Sequence, residues 1–167
     1  MSDMMHNEGR LTLIEGMITI VILVIFALIA IPNFLSAQED SKQAEAKMNL
    51  GAIGVTAESW KMENGTYVVK ALTDLGWNPQ GSTRYSYWYE VGNKTVNFVR
   101  DASSYSTSSP LEAGCDRSRP PKKVIVKATK NTLSIGAKGQ IDEDPTCDEW
   151  SYNNTRTLNN PINDITQ

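Results

Sequence analysis

Residues able to do chemistry are sparse in this sequence, and their placement restricts what they can do. Its single histidine, His6, lies within the first ten residues. The rest of the chain therefore holds no Ser-His or Cys-His pair of the kind that activates a nucleophile. Cys115 and Cys147 are the only cysteines. In an exported domain an even count reads as one disulfide, the alternative being two free thiols. Zinc takes about four ligands, and two cysteines without histidines do not supply them. Asp142, Asp144 and Asp148 form a D-x-D-x-x-x-D array, whose closely spaced hard oxygens suit a structural calcium ion. The glycine and terminal glutamate of an EF-hand loop are missing, and the other reading is an acidic solvated loop. Glu15 is the fourth candidate. It stands near the start of an apolar run, with no Lys or Arg after it until Lys42. An unpaired carboxylate in a membrane costs at least ~2.5–3.5 kcal/mol, so Glu15 either snorkels to the interface or pairs with a cation from another chain. No catalytic acid, base and nucleophile come together, and an enzyme is not expected.

The elements that position these residues begin with a helix. From Gly16 to Gln38 no residue is charged, and a helix of about 20 apolar residues crosses a bilayer. No polar face interrupts the run, as it would in a soluble core helix. Residues 1–10 form a polar leader, 11–35 the apolar helix, and 36–63 its amphipathic continuation. Ala46, Leu50, Ile53, Ala57 and Trp60 mark one stripe of that second half. Gly51 and Gly54 weaken it by up to ~1 kcal/mol each, which packing against a sheet can offset. Asn64-Gly65 is a natural stop. A helix from Leu11 to Glu63 would reach about 80 Å, too long for one small core to bury. Pro32 removes one of its hydrogen bonds and is expected to kink or open it.

Residues 64–167 read as a globular region. A loop over 64–83 leads to strands at Arg84–Val91 and Thr95–Arg100, joined by a Gly92-Asn93 hairpin turn. A second pair is expected at Lys122–Thr129 and Thr132–Ala137, and after Gly139 the chain reads as polar loop. The fold class is α+β, a long helix against a four-stranded antiparallel sheet. Tyr85, Tyr87 and Tyr89 share one strand face by two-residue spacing. The Ser103–Ser109 tract has a composition that suits surface glycans.

Net charge is −3 and the pI about 5.2, so no overall basic field recruits nucleic acid. Arg117, Arg119, Lys122, Lys123, Lys127 and Lys130 cluster in one stretch, read as a solvated strand surface with a loop.

Leu11-Thr12-Leu13-Ile14-Glu15, the apolar run, and Ile31-Pro32-Asn33-Phe34 together resemble the N-terminal segment of type IV pilins and pseudopilins. Ser41 to Lys47, and Asp148-Glu149-Trp150 with Asn153 and Leu158, look like pilins of the deltaproteobacterial kind. The resemblance implies a pilin fold and a leader removed by a prepilin peptidase that methylates the new N-terminus, here Leu11. It implies a subunit held in the inner membrane and then assembled with copies of itself, by pilus assembly machinery, into an extracellular filament serving motility, adhesion or DNA uptake. Glu15 would lie near the N-terminal amine of a neighbouring subunit, and in the filament helicity would be lost just before Pro32. Two positions depart from the pattern. Arg10 stands where the family has Gly, with Gly9 one residue earlier, so either cleavage falls after Gly9 and leaves Arg10 first, or processing is impaired, or the chain is an unusual minor subunit. Val24 stands where many relatives carry Gly. The competing readings are a major pseudopilin of a type II secretion system, which usually lacks the disulfide, and a signal-anchored binding module.

Overall fold

A computed structural model describes residues 12–98, 115–141 and 146–166. The leader, Leu11, the Ser103–Ser109 tract, Asp142 and Asp144 lie outside the described residues. The chain divides into two units, one up to Gln38 and one from Glu39 onward. Helix α1, Leu13–Asn64, contributes to both.

In the first unit, Leu13–Ile31 is apolar all round, with mean hydropathy 2.8. None of it is buried within the chain. Its one hydroxyl, on Thr19, donates to the Glu15 carbonyl at 2.8 Å and is satisfied within the helix; Glu15 is its one ionisable side chain. The helical assignment continues without interruption through Pro32; the expected local opening is absent from this conformation.

In the second unit α1 lies on a mostly antiparallel sheet. Its strands are β1 (Tyr85–Val91), β2 (Lys94–Asn97), β3 (Lys127–Ala128), β4 (Leu133–Gly139), β5 (Asp148–Asn153) and β6 (Leu158–Ile162). The order is β2-β1-β4-β5-β6, with β3 also paired to β4. The α+β architecture is as the sequence predicts, but the sheet has more strands than four. The stretch after Gly139, expected to be loop, supplies β5 and β6. Conversely, the strand expected over Lys122–Thr129 shrinks to two residues. The reason is local: both carboxylate oxygens of buried Glu149 accept backbone N–H groups, from Lys122 and Lys123, at 2.8 Å. Those donors face a side chain instead of a ladder. The Gly92-Asn93 turn forms as expected, with φ of +54° and +66°, the pair of positive values that a two-residue hairpin requires.

The predicted stripe is the core face. Ala46, Leu50, Ile53 and Ala57 are fully buried against Tyr85, Tyr87, Tyr89, Ile135, Ala137, Trp150 and Tyr152, with Trp60 at the margin. The two helix glycines separate in role. A Cβ at Gly54 would meet the Tyr152 ring, 2.7 Å from Cζ, whereas one at Gly51 would meet nothing within 4 Å. Gly51→Ala is therefore expected to stabilise the protein by up to about 1 kcal/mol, and Gly54→Ala to destabilise it by roughly 1–3 kcal/mol. Denaturant midpoints of the full-length protein in detergent test this. Shifts of the same sign would contradict the close helix–sheet approach at Gly54.

Candidate functional site

Two sets of residues carry the chemistry singled out in the sequence: the start of the apolar helix and the polar contacts that fix the sheet to α1.

At the helix start, Glu15 is exposed and joins Thr12 in a reciprocal cap. The Glu15 N–H donates to Thr12 Oγ1 at 3.2 Å, and the Thr12 N–H donates to Glu15 Oε2 at 3.4 Å. A T-x-x-E capping box satisfies two orphan helix donors and places a carboxylate at the positive end of the helix dipole. Among the described residues no cation lies within ion-pair distance of Glu15. The carboxylate that looked expensive in the sequence thus has a local structural use. Gly9, Arg10 and Leu11 lie outside the described residues; Pro32 is described only by its helical backbone.

In the second unit, polar groups from α1 tie it to the sheet. Glu45 accepts the Arg84 and Tyr85 N–H groups at 2.9 and 3.3 Å and the Tyr87 hydroxyl at 3.2 Å. Burial pushes its carboxyl above the usual range, and those hydrogen bonds oppose the shift. Asn49 donates to the Tyr87 hydroxyl at 2.8 Å. Asp148, fully buried, accepts from Tyr85 Oη and Trp150 Nε1 at 2.5 Å each, Asn160 Nδ2 at 3.0 Å, Gln43 Nε2 at 3.3 Å and the Asp164 N–H at 3.4 Å. One carboxylate therefore joins α1, β1, β5, β6 and the C-terminal turn. Since Asp142 and Asp144 lie outside the described residues, the structure does not bring the acidic array together. Among the described residues no three His, Cys, Asp or Glu side chains are grouped to hold a metal ion.

Cys115 and Cys147 form the expected disulfide, with Cα atoms 5.1 Å apart across 32 residues of sequence. Of the basic stretch, Arg117 is not surface at all. It is buried and donates to the Arg84 carbonyl at 2.9 Å. Lys127 pairs with Glu90 at 3.5 Å.

The anchoring roles of Glu45, Asp148 and Glu149 were not visible from residue type alone. The signal for two of them was alternation: Asp148, Trp150 and Tyr152 occupy every second position of a strand, which sets Glu149 on the opposite face.

No family model matches the chain. Among proteins of known role, it is 45% identical to the type IV major pilin protein PilA of Myxococcus xanthus over 175 aligned residues, which cover 87% of this chain and 79% of that protein. It is 32% identical to the type II secretion system core protein G of Vibrio cholerae, covering 81% of this chain and 85% of that protein. To the core protein G of Pseudomonas aeruginosa it is 31% identical, over 52% of this chain and 63% of that protein.

Proposed function

This chain belongs to the type IV pilin family, and from that premise we propose that it is the main structural subunit of a surface pilus, built from copies of itself through α1. The role is structural and not enzymatic. The observation that carries it is the apolar first half of α1, exposed all round, which needs lipid before assembly and neighbouring helices after it. The apolar helix anchors the subunit in the inner membrane; prepilin peptidase cleaves the leader after Arg10 or Gly9, and the pilus machinery then moves the subunit into an extracellular filament. The higher identity to the pilin, 45% against 32%, together with the disulfide, favours a pilus over the short periplasmic filament of a secretion system. Filament use in motility, adhesion or DNA uptake belongs to the same reading. A structural calcium ion would bind in the acidic stretch of Asp142 and Asp144; Asp148 would join it only by releasing some of its present donors.

In the filament, Glu15 pairs with the N-terminal amine of a neighbour, fixing axial register by neutralising a buried charge. The capping box makes that pairing separable from helix start. Glutamine also serves at the N3 position of such a box, so Glu15→Gln keeps the cap and removes the charge. Both Glu15→Ala and Glu15→Gln are expected to remain in the membrane and to disappear from filaments sheared from the cell surface. Filaments of wild-type abundance from Glu15→Gln would leave capping as the whole role of Glu15 and refute the pairing.

A further inference from the structure

The sheet has a second polar centre, on the face turned away from α1. Lys138 in β4 stands opposite Glu149 in β5, and only 3% of it is exposed. Among the described residues, neither a carboxylate nor a carbonyl accepts from its ammonium. The two nearby acids are already engaged. Glu149 holds the backbone N–H groups of Lys122 and Lys123. Asp116 accepts from Ser118 and from Arg119 Nε at 2.9 Å. Burial holds the Lys138 pKa below the usual lysine value, with Glu149 and Asp116 opposing that shift. The stem is buried, but the ammonium itself is not sealed off: it opens onto free space with no direct acceptor among the described residues, which leaves it able to bind an anion. Beside it is a cavity of about 360 Å³ lined by Asp116, Arg119, Lys122, Lys138, Glu149 and Ile162, next to the disulfide.

We propose that this cavity is an oxyanion site, which takes the carboxylate or phosphate of a small group with Lys138 at its floor and Arg119 and Lys122 at its rim. The two acids repel an anion, but their oxygens face backbone and Arg119 donors and three cations outnumber them in the cavity. Arg119 uses only Nε on Asp116, which leaves its terminal nitrogens for a bidentate contact. The anion comes either from solution or from a carboxylate of a neighbouring copy.

Inorganic phosphate titrated into the full-length monomer in detergent, followed by calorimetry, tests the site without depending on filament formation. Saturable binding is expected with one phosphate per chain. Lys138→Met, which keeps the aliphatic stem, should weaken it by roughly tenfold to a hundredfold, the worth of one charge-assisted hydrogen bond. Lys138→Arg should retain most of it, and Lys123→Met, an exposed lysine outside the cavity, should leave it unchanged. Circular dichroism and an intact disulfide confirm that each variant is folded. Absence of saturable binding would overturn the site, as would equal loss in Lys138→Met and Lys123→Met, which marks diffuse attraction to a basic surface. Repeating the titration on intact filaments separates the sources. Binding to both forms identifies a soluble anion, and binding to monomers alone identifies a neighbour's carboxylate already in place.

Discussion

Asp148→Ala is expected to destabilise the second unit by roughly 3–5 kcal/mol, the scale for removing one partner from a buried charged network. The argument rests on what the substitution leaves behind. Five donors converge on this carboxylate: a phenol, an indole, two side-chain amides and a backbone N–H. Alanine strands the phenol, the indole and the backbone N–H in a buried site, while Gln43 keeps Asn163 as an acceptor at 2.9 Å and Asn160 is only part-buried; each unsatisfied buried donor costs ~1–3 kcal/mol before relaxation. Asp148→Asn retains the shape but turns an amide toward groups that are themselves donors, so it should recover only part of the loss. Tryptophan fluorescence during urea unfolding of the full-length protein in detergent reads both variants. A change under about 1 kcal/mol for alanine would show that the network contributes little net stability. A chelator provides the companion measurement. If the wild-type protein loses stability in chelator and Asp148→Ala loses none, the carboxylate also serves a calcium ion.

The same residue shows where sequence reading succeeds and where it stops. The helix was legible because its period was uninterrupted: Ala46, Leu50, Ile53 and Ala57 fall on one face and are all fully buried. The apolar run and Glu15 were legible because a charge in a dry segment stands out. The C-terminal strands were not. Asp148-Glu149-Trp150-Ser151-Tyr152-Asn153 and Leu158-Asn159-Asn160-Pro161-Ile162 look polar, and strand patterns are sought as apolar alternation. Both elements have polar residues because neither side of the sheet there is purely apolar. Asp148 sits among hydrogen-bond donors on the helix side, and Glu149 anchors a crossing segment on the other. Glu149 also explains the shortened β3, since no local propensity could reveal that a distant carboxylate takes the N–H groups of Lys122 and Lys123. Arg117 misled in the opposite direction. Its neighbours in sequence are surface cations, and only the tertiary fold buries it against the Arg84 carbonyl.

Alkaline pH should unfold the second unit abruptly, and the tyrosines supply the reason. Four of the five described core phenols donate to a fixed acceptor. Tyr85 reaches Asp148 at 2.5 Å, Tyr87 reaches Glu45 at 3.2 Å, Tyr89 reaches the Tyr67 carbonyl at 2.6 Å, and Tyr67 reaches Glu58 at 2.6 Å. Burial, followed for Tyr67 by its bond to the Glu58 carboxylate, pushes Tyr67 up to about 12. Burial is also the largest cause for Tyr85, Tyr87 and Tyr89, and nearby acidic groups add to it; all three are raised further than Tyr67. A tyrosine whose folded pKa exceeds its unfolded value of about 10 binds its proton more tightly in the fold. That stabilisation is complete below pH 10 and is lost as pH rises from there toward the folded pKa. For each such group the loss is ~1.4 kcal/mol per pH unit, so Tyr85, Tyr87 and Tyr89 together remove roughly 4 kcal/mol per unit above pH 10. A marginal stability of ~5–15 kcal/mol is exhausted within a few units. Phenolate absorbance and circular dichroism, followed together on the full-length protein in detergent, should show these tyrosines ionising in the same step in which the fold is lost. Tyr85→Phe should make the transition shallower, because one linked proton is gone, while also lowering stability at neutral pH by leaving Asp148 without its phenol donor. Smooth ionisation near pH 10 with the dichroism unchanged would mean that the phenols reach solvent, and that the contacts between α1 and β1 are looser than these hydrogen bonds describe.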